Sequence, residues 1–307
     1  CIAIGAALAA DSWKALFGGS ADPVWYTTLF LTVRVSFGLV APLILAIALF
    51  VIYLTTLAPG VTWANAGADS GDFIAAAATL GVAHPTGYPS YLLLARLFQL
   101  LPVGSLAVRT NLLSAASAAL AAAVVALLVK KTYGGARRFA WAGGLLAGFA
   151  FGLSPLLWSQ AVIAEVYALH ALFVALTLSC LPLGLVSVGK PRSLAACRRR
   201  PEGARLAFPT ETSLESAATQ GQALSYAVWR NRLTGLLFGL ALGNHLTTVL
   251  LAPPSLALNG WDGKRLRLGP ALAGLGWMAV GALVYLYLPL RARAMPPINW
   301  GNAATWK

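Results

Sequence analysis

Acidic residues are scarce in this sequence. Nine Asp and Glu stand among 307 residues against 22 Lys and Arg, with only three cysteines, three histidines and two methionines. Charged residues make up 10% of the chain, hydrophobic residues 59%, and mean hydropathy is +0.75. An ordinary water-exposed surface cannot be built from that composition. The cysteines Cys1, Cys180 and Cys197 lie far apart and form neither CxxC nor a Cys/His ligand spacing, so neither a disulfide framework nor a structural zinc site is expected. No Walker-type glycine loop and no repeat of fixed period occurs. The net charge of +13 invites a nucleic-acid reading, but the basic residues are not gathered on one soluble face among aromatics, and nucleic acid is not an expected partner.

What the chain does have is apolar runs close to the ~20 residues that cross a bilayer. They fall at 36–57, 106–129, 139–157, 166–188, 233–257 and 269–290. Unpaired backbone amides are costly in hydrocarbon, and Leu/Ala-rich runs of this length are too long for barrel strands. The expected fold is therefore all-α, a polytopic transmembrane helical bundle. Lys130, Lys131, Arg137 and Arg138 fill one connection; Lys190, Arg192, Arg198, Arg199, Arg200 and Arg205 fill another with only Glu202 among them. Both read as cytoplasmic, which places 58–105 and the surroundings of 158–170 on the outer face. Lys264, Arg265 and Arg267 also look cytoplasmic, although a single apolar segment separates them from the preceding basic loop. Gly235, Gly239, Gly243, Asn244, His245, Pro253 and Pro254 in 233–257 reconcile the two if that segment is a broken or re-entrant helix pair.

Residues 1–35 read as an interfacial N-terminal segment, 36–307 as the membrane domain, and 189–232 as a polar cytoplasmic linker. Cys1 in place of Met, and an end just past a Pro-Pro turn, suggest a piece of a longer chain; a lipid-bearing Cys1 lacks a preceding signal. The loop 58–105 is long for a connector. Within it DSGDFIAAAATL predicts a helix starting near Asp69 and ending at Gly81. HPTGYP predicts a compact turn, and SYLLLARLFQLLP a second helix.

Six of the nine acids (Asp11, Asp22, Glu202, Glu211, Glu215, Asp262) lie in terminal or connecting segments. Asp69, Asp72 and Glu165 remain, all on the outer side with His84 and His170. Carboxylates near hydrocarbon are costly enough to suggest acid/base chemistry or cation binding there. Structural roles compete at each position. Asp69 and Asp72 suit a helix cap and first turn, His84 a turn histidine, and Glu165 an interhelical pair with Arg109 or Arg96. Arg291 and Arg293 suit either interfacial snorkelling or a phosphate clamp, and His245 a satisfied core histidine.

The segments TLAPGVTWANAGADSGDFIAAAATLGVAHPTGYPSYLLLARLFQLLP, RTNLLSA, AEVYALHALF, GLALGNHLTTVLLAP and YLPLRARAMPPINWG together resemble a bacterial family of large membrane proteins, glycosyltransferase family 117. Its vertebrate relatives are protein O-mannosyltransferases. The resemblance covers roughly 40–307 and is strongest in D-S-G-[DE]-F and H-P-x-G-Y-P-x-Y. It implies a GT-C-like architecture in a bacterial inner membrane, a catalytic acid in the first outer loop, and a sugar donor carried on a polyprenyl phosphate. Asp69 would be the leading catalytic acid, and Asp72 stands where the family pattern usually has Glu. His84, Tyr88, Glu165, Tyr167, His170, Arg291, Arg293, Asn299 and Trp300 would line the site.

A lipid-phosphate donor needs cations near the interface, a role open to Arg109, Arg291 and Arg293. Attack by a hydroxyl of a protein or glycan acceptor needs a base within hydrogen-bond reach, for which Asp69 is the candidate. A divalent cation at the Asp69/Asp72 pair is compatible with the sequence but not demanded by it. Two rival readings remain: a transporter or channel subunit with its site in 233–257, and an inactive accessory membrane subunit. A transporter needs ionisable groups at the bilayer centre, whereas here the acids sit in loops.

Overall fold

The computed structural model describes residues 23–133, 137–181, 228–260 and 268–304. The expectations for 1–22, for the basic cluster and most of the linker between 182 and 227, and for 261–267 lie outside these residues. Among the described residues the protein is all-α, and the one β-type pairing is an isolated bridge between Val82 and Asn299.

The first helix, α1 (Pro23–Thr55), is continuous across residues 35 and 36, so no break marks the expected end of the N-terminal segment. Its inward face is Leu45, Leu49 and Tyr53, all buried at i, i+4, i+8 spacing, while Leu43, Ile44, Ile47 and Val51 point outward. Apolar side chains exposed in such a stripe belong against lipid.

At the centre lies α4 (Leu106–Thr132), apolar and long enough to cross a bilayer. Ser105 caps it by accepting the Val108 amide at 3.3 Å. Its buried surface is largely alanine, including Ala115, Ala118, Ala119, Ala122 and Ala126. Small side chains let neighbouring backbones approach closely, the usual route to helix association where lipid removes the hydrophobic drive. Thus α1, α5 (Arg137–Gly152) and α7 (Val166–Cys180) pack around it.

The predicted span 139–157 is not straight. It bends by 62° between α5 and α6 (Pro155–Ala161). Pro155 has no amide to continue the helix, and Ser154 adopts an extended conformation. The Ser154 hydroxyl donates to the Phe151 carbonyl at 2.7 Å and accepts the Leu157 amide at 3.4 Å, so the kink leaves no polar group stranded.

The segment expected to be broken is broken. A helix over 228–242 (α8) stops at Gly243–Asn244–His245, a 3₁₀ turn follows over Leu246–Leu251, and α9 (Ala252–Gly260) resumes. The last span starts as α10 (Leu268–Ala282) and passes through a 3₁₀ turn (Leu283–Leu286) into α11 (Tyr287–Arg293). Leu272–Arg293 is the second stretch long and apolar enough to cross a membrane. Helices α8 and α10 meet at Gly235, Gly239 and Gly281, where an added Cβ would run into the backbone of the facing helix.

The loop 58–105 folds as expected, into α2 (Ser70–Thr79), a turn, and α3 (Pro89–Gln99). The described acids, Asp69, Asp72 and Glu165, lie at this end of the bundle, and Lys130, Lys131, Arg230 and Arg232 at the other. The acid end also carries Arg96, Arg109, Arg291 and Arg293, so what is one-sided among the described residues is the placing of the acids.

Candidate functional site

Asp69 was expected to cap α2. It occupies the N-cap position, but its backbone is helical (φ −89°, ψ −9°) and its side chain accepts no cap bond. The carboxylate is instead 55% exposed and faces the His84 ring, with Oδ2 3.6 Å from Nε2. A residue with the capping chemistry to hand, but turned away from the helix, is free to act elsewhere.

Asp72, one turn on, is committed. Oδ2 accepts the His84 backbone amide at 3.0 Å and lies 2.8 Å from His84 Nδ1; Oδ1 accepts Trp300 Nε1–H at 3.0 Å. An ionised carboxylate only accepts, so Nδ1 carries the proton, and Nε2 is the nitrogen presented to Asp69. At 3.6 Å that contact is too long for a hydrogen bond. Two carboxylates thus flank one imidazole, one fixing its tautomer and the other open to solvent.

The turn that places His84 is built by backbone geometry. Leu80, not Gly81, takes the left-handed conformation that ends α2. Gly81 is needed for a different reason: a Cβ there would collide with the Ile298 carbonyl. Gly87, at φ +83°, donates its amide to the His84 carbonyl at 2.8 Å, and a side chain there would meet Leu288. Tyr88 follows in the left-handed region, and Pro89 opens α3. The Phe73 ring packs at 5.2 Å from His84, 5.1 Å from Tyr88 and 5.2 Å from Tyr91.

Trp300 reaches Asp72 because residues beyond the last span return to this turn. The Val82 amide donates to the Ile298 carbonyl at 2.8 Å, and the Trp300 amide to the Val82 carbonyl at 3.1 Å. Tyr287 Oη–H donates to the Gly81 carbonyl at 2.8 Å.

Glu165 stands at the start of α7 and is 2% exposed. It forms no pair with Arg109 or Arg96, contrary to that expectation. Burial, and then the nearby Asp69 charge, push its carboxyl up to about 7, while the amides of Asp69 and Val166 pull the other way. Its Oε1 has no hydrogen-bond partner. Burial also raises the Tyr88 phenol, with Tyr167, Asp69 and Glu165 adding to it, so these four groups share one electrostatic neighbourhood.

His245 is not the core histidine expected. It is partly exposed and stacks near His170 (5.1 Å between centroids) and Tyr167 (5.6 Å). Thr247 Oγ lies 2.8 Å from His245 Nδ1 and 3.1 Å from His170 Nε2. One hydroxyl has a single proton to give, so at most one ring accepts from it and at least one must donate to it.

Three predicted residues are occupied with structure. Arg109 donates from Nε to the Val103 carbonyl (2.8 Å) and from its terminal nitrogens to those of Gln99 (2.8 Å) and Gly104 (3.0 Å). Arg291 donates to the Leu80 and Thr79 carbonyls at 2.7 and 3.4 Å, neutralising the C-terminal end of α2. Exposed helix-end and loop carbonyls compete for guanidinium donors, which is why these two are not aimed at the acids. Asn299 Nδ2 donates to the Ala292 carbonyl at 3.3 Å. Arg293 is exposed and has no protein partner among the described residues. No group of three or more His, Cys, Asp or Glu is arranged to hold a metal ion among the described residues.

Two participants escaped sequence reasoning. Phe73 forms the wall behind His84, and Thr247 joins the two histidines. Both stand inside quoted motifs, DSGDF and GNHLTT, where their neighbours drew attention for their charge.

Residues 69–183 match the family model of the protein O-mannosyl-transferase TMEM260 N-terminal domain. The chain is similar to the protein O-mannosyl-transferase TMEM260 of Mus musculus, 34% identical over 245 residues, covering 78% of this chain and 29% of that one. It is also similar to the Dictyostelium discoideum protein of the same description, 31% identical over 140 residues, covering 43% of this chain and 16% of that one. The chain therefore spans less than a third of the length of these relatives. No solved structure matches. The match begins at Asp69 and takes in the carboxylate–imidazole pair, Tyr88 and Glu165; over residues 69–183 the chain belongs to the family of the protein O-mannosyl-transferase TMEM260 N-terminal domain.

Proposed function

We propose that this protein is an integral membrane glycosyltransferase that moves a mannose-like sugar from a polyprenyl-phosphate donor to a hydroxyl of a protein or glycan acceptor on the outer face. The observation that carries the reading is Asp69, a half-exposed carboxylate unused by its helix and facing an imidazole held by Asp72. The relatives' description as protein O-mannosyl-transferases supports the reaction class.

The acceptor oxygen attacks the anomeric carbon as the bond from that carbon to the phosphate oxygen breaks. The acceptor proton passes to Asp69, and polyprenyl phosphate leaves as an anion. A single displacement of this kind inverts the anomeric configuration. The departing phosphate needs positive charge rather than a proton donor, and Arg293 is the exposed arginine available for it. His84 and Asp72 orient the base, while Glu165, whose carboxyl burial raises to about 7, carries less negative charge beside Asp69 than an ordinary carboxylate would. The bilayer required has the basic loops on one side and this cluster on the other; the resemblance points to a bacterial inner membrane.

The test is sugar transfer from radiolabelled polyprenyl-phosphate mannose by the full-length purified protein, against Asp69→Asn at equal folded amount. Loss of a general base lowers turnover by about 10²–10⁴-fold. Unchanged turnover in the variant removes Asp69 from the reaction. No turnover in either protein, despite a folded sample, moves weight to the accessory or transport readings. Against transport stands the position of the described acids, which are gathered at one end of the bundle rather than at its centre.

A further inference from the structure

At the opposite end of the bundle three cations gather with no carboxylate beside them among the described residues. Arg230 and Arg232 open α8, and Lys131 ends α4 beside the last turn of α7, donating to the Ser179 carbonyl at 2.9 Å. Lys131 and Arg230 both lie within electrostatic reach of Cys180. Every acid among the described residues is at the other end, so no described carboxylate pairs with this group. Arg230 Nε is buried without a hydrogen-bond partner, and a guanidinium donor left unsatisfied away from water is costly.

Arg230, Arg232, Ser179 and Cys180 border a cavity of about 310 Å³ whose walls are otherwise Trp229, Leu233, Leu236 and Trp277. The Arg232 guanidinium lies over the Trp229 ring at 5.5 Å, which holds it flat and leaves its edge for an anion. The lining is thus amphipathic in one direction, with the arginines and Trp229 at the rim where headgroups lie and Leu233, Leu236 and Trp277 towards the bilayer interior.

We infer that this cavity is a binding site for an anionic phospholipid of the leaflet on the basic side, its phosphate taken by Arg230 and Arg232 and the start of an acyl chain laid against Leu233, Leu236 and Trp277. A soluble anion would leave the apolar wall uncovered, and a zwitterionic lipid would bring its own cation to a site already lined by two arginines. The site is distinct from the acid cluster and does not depend on the reaction proposed for it.

The test is native mass spectrometry of the full chain released from mild detergent, after reconstitution with equal amounts of phosphatidylglycerol and phosphatidylcholine of matched chains. Retention of phosphatidylglycerol in excess is expected, and R230Q/R232Q lowers that excess about thirtyfold, the factor that corresponds to about 1 kcal/mol for each of two cations. R232K, which keeps the charge, retains most of it and guards against misfolding as the explanation, as does an unchanged elution volume. Equal retention of the two lipids, or an excess that survives R230Q/R232Q, overturns the proposal. So does displacement of the lipid by millimolar inorganic phosphate, which marks a free-anion site. A chain whose own acidic residues fill the cavity retains neither lipid preferentially, and that outcome also overturns it.

Discussion

Replacing Glu165 by Gln separates the cost of burying a negative charge from every other contribution at this end of the bundle. The side chain is 2% exposed, and its carboxyl is displaced from 4.5 to about 7, first by burial and then by Asp69. At ~1.4 kcal/mol per pH unit, that displacement is worth about 3 kcal/mol. Because the folded-state value is raised, stability is fully present below about 4.5, where both folded and unfolded chains hold the proton. It falls as the pH rises towards 7, where the unfolded chain has already ionised, and the full penalty stands above 7. Gln cannot ionise and keeps the shape of the protonated acid.

The assay is thermal unfolding of the purified protein in detergent, followed by tryptophan fluorescence between pH 4.5 and 8 for both proteins. The difference between the curves cancels every titration common to the two proteins. At pH 4.5 the two midpoints are expected to coincide within the value of one amide. By pH 8 Glu165→Gln should melt roughly 6–12 °C higher, at ~2–4 °C per kcal/mol for a domain of this order of size. Parallel curves across the range, or a variant less stable at pH 8, refute the reasoning that Glu165 is held as a buried, Asp69-facing acid.

Two further outcomes follow from the hydrogen bonds and packing. Asp72→Asn has one acceptor where three donors converge on two oxygens, so either the His84 amide or Trp300 Nε1–H loses its partner. The expected loss is about 1–3 kcal/mol, read as a lower unfolding midpoint, together with faster amide exchange at His84 or a shifted Trp300 indole resonance. No change in either readout would mean the triad does not form. Gly239→Ala places a methyl group against the Met278 carbonyl on the facing helix, and the folded, monodisperse yield should collapse. An exposed control such as Gly269→Ala, which meets nothing within 4 Å, should not alter it.

The two histidine clusters show where sequence reasoning stops. That His84 belongs with the acids was legible, because Asp72 of D-S-G-D-F and His84 of H-P-T-G-Y-P stand twelve residues apart in one loop. That His245 stands beside His170 was not, since 75 residues separate them and the break at Gly243–Asn244 sets the approach. Ser90 fixes that break from across the fold, its amide donating to the Gly243 carbonyl at 3.0 Å and its hydroxyl to the Leu240 carbonyl at 2.7 Å. Asn244 anchors its other side, donating to the Val166 carbonyl at 3.2 Å. Likewise, Arg109 and Arg291 are identical in sequence character to a phosphate clamp. Only the positions of free carbonyls at a loop and at the end of α2 commit them elsewhere.

By itself the sequence determined the solvent, the helical class, the broken segment and the end of the molecule that holds the acids. Those follow from composition, from run length and from where Gly, Pro and charge interrupt it, all local properties of the chain. Tertiary structure decided which carboxylate stays open and which is spent. Asp69 and Asp72 differ by three positions on one helix start, and both could cap it. Asp72 is taken because the turn brings His84 back onto it and the last span returns Trp300 to it across 228 residues. A carboxylate's role depends on which donors reach it, and donors that arrive from distant parts of the chain leave no mark on the residues beside it.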